Sequence, residues 1–257
     1  MYDMGTRKRA LTMVAQGRSM NSVSKETGVS RAAIRSWQSR IDPLPRMRRR
    51  PCARCGPRAE PPVDKAAYSY LLGLYLGDGC ISGMRAGYVL RIACANTWPG
   101  LIEACAAAIE TINPSRKSNR VQAVGYVSVV GYSRHWPCLF PQHGPGKKHD
   151  RRIFLEPWQQ EIVDAHPWEF IRGLIHSDGC RVTNWTTRLV GGERKRYEYP
   201  RYFFTNKSDD IRKLFSDTLD KVGVGWTTLA RGSDPFNISI ARRASTTLMD
   251  THVGPKY

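Results

Sequence analysis

Two related stretches decide the fold of this chain: YLLGLYLGDGC at Tyr70–Cys80 and, 100 residues later, FIRGLIHSDGC at Phe170–Cys180. Each reads as an apolar helix that ends in Asp-Gly-Cys, and each carries a glycine at the same position, Gly73 or Gly173. Because glycine has no side chain, two such helices can cross at a very short distance. We predict that the helices 68–77 and 168–177 lie side by side about a pseudo-twofold axis.

The similarity between the two halves continues downstream. A second helix keeps the same spacing of apolar residues in both: Leu101, Ala104, Cys105, Ile109 and Ile112 against Ile211, Leu214, Phe215, Leu219 and Val222. Two strand-like stretches lie between the helices of each half (about 80–84 and 88–95; about 180–189 and 199–205). Two more follow the second helix (about 121–125 and 126–132; about 226–231 and 236–241) and precede a final helical segment. A duplication this long is not a solenoid repeat, and it predicts an α+β body made of two fused αββαββα halves.

The repeated Asp-Gly pair carries the chemistry. Asp78 and Asp178 end their helices, where exposed carbonyls already bear partial negative charge, so a carboxylate costs roughly 0.3–1 kcal/mol. One Asp-Gly alone is typical of a helix-ending turn. Two copies at the same position of the repeat favour a bound cation, and Mg²⁺ held by carboxylates, waters and phosphates is the best fit.

Composition indicates the partner. The chain has 257 residues, with 40 Lys+Arg against 22 Asp+Glu and a net charge of +18, which points first to nucleic acid; a basic soluble enzyme is the alternative. It contains no apolar run of the roughly 18 residues that a membrane span needs, and no signal-peptide core. We expect a cytoplasmic, nucleoid-associated protein with no membrane partner.

Seven cysteines without export signals argue against a disulfide framework. Five of them are interpreted as small core residues: Cys80, Cys94, Cys105, Cys138 and Cys180. Only Cys52 and Cys55 have metal-ligand spacing, and no second Cys/His pair follows within the distance of a zinc knuckle. Zn²⁺ is therefore not expected there, and the pair is interpreted as a turn in a linker.

Four segments follow from the pattern of the chain: 1–41 with three short helices, a Pro/Arg-rich linker at 42–66, a first half at 67–165 and a second half at 166–257. The stretch Ser22–Trp37 resembles the helix-turn-helix of transposase and recombinase DNA-binding domains, with a tight turn at Gly28. On the third helix we expect the DNA-contacting side chains to be Arg31, Arg35, Ser36 and Gln38. The alternative is a three-helix protein-interaction module.

The two Asp-Gly stretches resemble the paired motifs of single-chain LAGLIDADG homing endonucleases over roughly residues 68–257. The resemblance implies motif helices at a pseudo-twofold axis, a β-saddle in the DNA major groove, and catalytic metals bound by Asp78 and Asp178. It implies that Asn96 and Asn206 are polar groups that support the metal ligands. Many members have a lysine beyond the last strand of each half, where this chain offers Arg134 and Arg242 but no lysine.

The hairpin loop Gly191–Tyr199 is basic and aromatic, and Arg194, Lys195 and Arg196 suit a phosphate or groove-edge contact; a solvated loop is the alternative.

The leading functional hypothesis is a monomeric, site-specific endonuclease that cuts double-stranded DNA with divalent metal. The alternative is a transcription regulator that uses a degenerate endonuclease fold to bind DNA. A third hypothesis, an RNA-binding scaffold, lacks an aromatic platform motif.

Overall fold

A computed structural model describes residues 3–39, 41, 52, 55, 61–231 and 234–257. The chain divides into two compact units, Met1–Pro51 and Cys52–Tyr257. The boundary falls within the segment 42–66, and residues 42–51 of that predicted linker lie outside the described residues. No helix in the described part of the chain is long and apolar enough to cross a membrane.

The described residues of the first unit form three helices: α1 (Met4–Ala15), α2 (Met20–Thr27) and α3 (Arg31–Ser39). The Ser19 hydroxyl accepts a hydrogen bond from the Ser22 amide and so caps α2. Gly28 takes φ 68° between α2 and α3, a left-handed conformation that other residues rarely adopt. The small core contains Ala10, Met13, Val23, Val29, Ile34 and Trp37.

The second unit contains two copies of one pattern. The helices and strands of its first half are α4 (Lys65–Asp78), β1 (Gly79–Met84), β2 (Gly87–Ala95), α5 (Pro99–Ile112), β3 (Asn119–Gln122), β4 (Tyr126–Ser133) and the short α6 (Trp136–Leu139). After α7 (Pro157–Ala165), the second half has α8 (Pro167–Asp178), β5 (Gly179–Val190), β6 (Glu193–Thr205), α9 (Asp209–Lys221), β7 (Thr227–Arg231), β8 (Asp234–Ile240) and α10 (Arg243–His252). The two antiparallel sheets have the same order, β1-β2-β4-β3 and β5-β6-β8-β7. The predicted duplicated α+β fold is confirmed.

Helices α4 and α8 meet through their backbones. A Cβ atom added at Gly73 would lie 2.6 Å from the Phe170 carbonyl oxygen, and one added at Gly173 would lie even closer to the Tyr70 carbonyl. No side chain fits at either position, so the two glycines bring the helices together as the sequence predicts. Phe170, Leu174 and the neighbouring apolar side chains of both helices belong to one continuous core.

The hairpin of the second half differs from the prediction. The expected loop at 191–199 is a two-residue turn, Gly191-Gly192, with both glycines at positive φ (62° and 87°). Such a turn matches the twist of the flanking strands and allows pairing to continue to the tip. Arg194, Lys195 and Arg196 therefore lie on strand β6 rather than in a loop.

Three cysteine predictions are wrong. Cys80 and Cys180 are exposed, because side chains alternate along β1 and β5 and these two fall on the open face of each sheet. Cys138 is only half-buried, and it lies beside Cys52 and Cys55 instead of within the apolar core. Cys94 and Cys105 are buried as expected.

Candidate active site at the paired helix ends

Asp78 and Asp178 are the last residues of α4 and α8, and each is followed directly by a strand. Gly79 and Gly179 make this abrupt change possible, since a Cβ at Gly179 would lie 2.7 Å from the Ile175 Cα. The close crossing of the helices brings their ends together. The carboxylate of Asp178 lies only 3.1 Å from the place that a Cβ of Gly77, the neighbour of Asp78, would occupy.

The setting of the two carboxylates disfavours their charge. Burial, followed by the negative charge of Asp78, raises the pKa of Asp178 to about 6, against a hydrogen bond from Asn206 and two nearby ammonium groups. Partial desolvation also raises the pKa of Asp78, although this residue is exposed and Lys256 and Lys148 oppose the rise. Two adjacent carboxylates that resist ionisation form a pair that a cation would stabilise.

Lys148 completes the end of α4. Its ammonium group donates to the carbonyl oxygens of Tyr75 (2.6 Å), Gly77 (2.6 Å) and Gly79 (2.9 Å). Burial lowers the pKa of Lys148 to about 8, while Asp178 and Asp78 act in the opposite direction. The ammonium thus contacts carbonyl oxygens at the end of the helix and lies near both carboxylates.

Lys256 places a second ammonium group at the end of α8. It donates to the Ser177 carbonyl at 2.9 Å, and burial lowers its pKa in spite of Asp78 and Asp178. The carbonyl of the adjacent Tyr257 accepts a hydrogen bond from the Leu101 amide at 3.1 Å, which fixes the tail beside the first half. Each helix end therefore has its own lysine, in a pseudo-symmetric arrangement.

These two lysines correct the expectation that arginines stand near the carboxylates. Arg134 donates to the Ala86 carbonyl at 3.0 Å, beside the β1–β2 turn and at the opposite end of β1 from Asp78. Arg242 lies against Gly225, before α10. Lys148 lies between α6 and α7, and Lys256 follows α10, so neither lysine stands directly beyond the last strand of its half.

The two asparagines have different environments. The Asn206 side-chain amide donates to the Asp178 carboxylate at 2.6 Å, and its oxygen accepts from the Ser208 amide at 2.8 Å. Asn96 is exposed and accepts from the Gln122 side chain at 3.1 Å. Asn206 thus contacts the Asp178 carboxylate, whereas Asn96 contacts Gln122 of β3.

The Asp178 carboxylate lines a basic cleft of about 460 Å³. Its lining includes the side chains Lys147, Lys148, His149, Arg151, Asp178, Asn206 and Lys207. Lys147 and Lys207 are exposed, so their charges are available to a ligand. A polyanion that enters this cleft would meet several cations and the Asp178 carboxylate.

The donor set fits a divalent metal. Two carboxylates from different helices offer hard oxygen ligands, and the open side of the cleft leaves room for waters and a phosphate. Burial and the negative charge of Asp78 both raise the pKa of Asp178, and a divalent cation would offset both effects. Asp78 and Asp178 are the residues that would hold it.

His176 is a packing residue. It is buried, its Nδ1 lies 2.9 Å from the Tyr70 hydroxyl, and its ring meets those of Tyr70 and Tyr257 edge-on. Burial lowers the pKa of His176 to about 4, so the imidazole is neutral at physiological pH. It joins α4 to α8 and takes no part in the cleft.

The residues predicted to contact DNA are exposed. Arg31, Arg35, Ser36 and Gln38 lie on the outer face of α3, opposite Ile34 and Trp37. In the second unit, Arg194, Lys195 and Arg196 are exposed near the tip of the β5–β6 hairpin. The Arg196 guanidinium lies 4.9 Å from the centre of the Trp185 ring and 2.7 Å from Glu198.

Comparison with solved structures finds similarity to LAGLIDADG proteins. The homing endonuclease I-DmoI in complex with DNA and Mn is 14% identical, with a TM-score of 0.48 over 75% of this chain and 98% of that one. The homing endonuclease I-WcaI bound to its DNA recognition sequence is 13% identical, with a TM-score of 0.47 over 76% and 83%. The N-terminal LAGLIDADG domain of DUF199/WhiA is 12% identical, with a TM-score of 0.43 over 74% and 83%. No family model matches the sequence, and neither does any curated protein.

Proposed function

We propose that this protein is a site-specific endonuclease that hydrolyses phosphodiester bonds in double-stranded DNA with a divalent metal. The observation that carries the proposal is the proximity of Asp78 to Asp178, whose carboxylate lines a basic cleft. Paired carboxylates beside exposed cations suit a phosphate substrate, and Mg²⁺ is the metal whose ligand preference matches them best. The protein would act as a monomer on DNA in the cytoplasm.

Each residue of the cleft has a definable task. Asp78 and Asp178 would hold the metal, and Asn206 keeps the Asp178 carboxylate in position by its hydrogen bond. A bound divalent cation would supply polarisation of the scissile phosphate. Lys148 and Lys256 would stabilise negative charge that develops on phosphate oxygens, while Lys147 and Lys207 hold the backbone of the DNA.

Two further surfaces support recognition of DNA. The first unit has the three-helix composition of a helix-turn-helix, and α3 would enter the major groove with Arg31, Arg35, Ser36 and Gln38. The β5–β6 hairpin extends past the four-stranded part of its sheet, and Arg194, Lys195 and Arg196 would contact phosphates along the groove.

A transcription regulator is the second candidate, and one observation favours it. Lys148 and Lys256 already place two ammonium groups against the helix-end carbonyls and the two carboxylates. Such a centre is electrostatically balanced without any metal. A protein of this kind would bind a specific site and leave the DNA intact.

The test is incubation of the pure protein with a randomised duplex library, with Mg²⁺, with Ca²⁺ and without divalent metal. An endonuclease creates new ends at one sequence class in Mg²⁺, and Asp78→Asn or Asp178→Asn lowers that cleavage by orders of magnitude. Asp217→Asn is the matched control, because this carboxylate forms a surface ion pair with Lys213 on α9. Specific retention of duplexes without new ends in any condition would favour the regulator.

A further inference from the structure

Outside the cleft, four potential metal ligands converge in the second unit: Cys52, Cys55, His135 and Cys138. Their ligand atoms all lie within 4.8 Å of one another. The Cys52 and Cys55 sulfurs lie 3.5 Å and 2.7 Å from the His135 Nδ1. In a tetrahedral zinc site, with bonds of about 2.3 Å to sulfur and about 2.0 Å to nitrogen, neighbouring ligand atoms are about 3.5–3.8 Å apart. The cluster has the size of such a site.

The spacing of the ligands is also that of a zinc site. Cys52 and Cys55 are separated by two residues, and the Cys55 amide donates to the Cys52 carbonyl at 3.2 Å to form a tight turn. His135 and Cys138 are likewise separated by two residues, and the Cys138 amide donates to the His135 carbonyl at 2.9 Å. Two short turns that each contribute a pair of ligands are typical of structural zinc.

One of the two turns is rigidly held by the core. Trp136 is completely buried, and its indole nitrogen donates to the Gly131 carbonyl at 2.9 Å. The Tyr68 hydroxyl of α4 donates to the Leu139 carbonyl. The core therefore fixes the positions of His135 and Cys138, and the turn at Cys52 and Cys55 supplies the other two ligands.

The burial and chemistry of the ligands select the metal. Cys55 and His135 are buried, while Cys52 and Cys138 are half-buried, so the centre is enclosed. Three thiolates and an imidazole form a soft donor set that suits Zn²⁺ and not Mg²⁺. Four protein ligands leave no open position for a substrate, which is characteristic of a structural site.

We propose that Cys52, Cys55, His135 and Cys138 form a structural zinc site that ties the beginning of the second unit to His135 and the short helix α6. Metal coordination would link two parts of the chain that are 80 residues apart, from Cys55 to His135. It is separate from the carboxylate pair in ligands, in metal preference and in purpose, so it does not depend on the proposed nuclease activity.

The test measures the metal content of the full chain by mass spectrometry after expression in zinc-supplemented medium. We expect one zinc ion per chain, reduced to background in Cys52→Ser and in Cys138→Ser. Cys180→Ser, an exposed cysteine outside the cluster, is the matched control and keeps its zinc. Asp78→Asn also keeps its zinc, which separates this site from the candidate active site.

If the cysteine variants fail to fold, a second measurement on the unmodified chain still tests the proposal. The unmodified chain is stripped of metal with a strong chelator and refilled with Co²⁺, and we expect intense visible bands of tetrahedral cobalt with thiolate charge transfer. Refilling also restores the melting temperature that stripping lowers. A chain that carries no zinc, a disulfide between Cys52 and Cys55, or equal zinc loss in Cys180→Ser would overturn the proposal.

Discussion

Asp178 sits where its charge is disfavoured at neutral pH. Without metal, the carboxylate must ionise beside Asp78 in a partly buried position, which holds its pKa near 6 against the ordinary 3.8. A pKa that is raised in the folded state means that ionisation lowers stability as pH increases through this window.

We therefore predict that Asp178→Asn raises the free energy of unfolding at pH 7 without metal by about 1–2 kcal/mol. At pH well below 3.8 the carboxyl is protonated in both states, so the variant and the parent should converge as the pH falls toward that range. Urea denaturation over a pH series from 7 downward in chelator measures the difference. A loss of stability throughout would mean that the carboxylate is a required hydrogen-bond acceptor and would remove the basis for a metal there.

Helices α4 and α8 are the elements on which the site depends, because their crossing sets the distance between the carboxylates. A side chain at Gly73 would meet the Phe170 carbonyl at 2.6 Å and the Leu174 amide nitrogen at 2.8 Å. Backbone atoms inside two packed helices cannot move aside as a flexible side chain can.

We predict that Gly73→Ala destabilises the protein by about 2–4 kcal/mol, in spite of the better helix propensity of alanine. Thr111→Ala at an exposed position of α5 is the control and should stay within about 0.5 kcal/mol of the parent. Thermal and urea unfolding measure both. If Gly73→Ala proved as stable as Thr111→Ala, the close backbone crossing of the helices would be refuted.

Local sequence patterns were sufficient to predict the helices and strands of the repeat, but not the complete candidate active site. The repeat of Gly73 and Asp78 at Gly173 and Asp178 is visible within short windows, so the helices, the strands and the carboxylates could be predicted. Lys148 meets the Tyr75 carbonyl across 73 residues, and Cys55 meets His135 across 80. Such pairs arise only when the chain folds, and one sequence carries no signal that links their members.

At the scale of the whole molecule, the net charge of +18 is divided between surfaces with different tasks. If α3 reads bases, its arginines determine which sequence is bound. If the β5–β6 hairpin holds phosphates, its cations determine how tightly any duplex is bound.

We predict that Arg31→Ala and Arg35→Ala each lower affinity for the selected site and broaden its sequence preference. Alanine at Arg194, Lys195 and Arg196 together should weaken binding to all duplexes and flatten the salt dependence, by about 0.9 in the log–log slope for each phosphate that is no longer neutralised. Lys213→Ala, on the outer face of α9, is the control. Affinity measured at several salt concentrations distinguishes these results, and an unchanged preference in both α3 variants would favour a protein-interaction role for the first unit.

The backbone contact between α4 and α8 has a consequence for how such a protein can evolve. Main-chain atoms are common to every sequence, so the backbone contact at Gly73 and Gly173 depends on few residues, although side-chain contacts such as that of Tyr70 with His176 must be kept as well. After a gene duplication, each half could accumulate its own surface residues while the joint stayed intact. Halves from different descendants of the same ancestor should then be exchangeable at this joint, and a chimera that retains both glycines should assemble as one molecule with a composite surface.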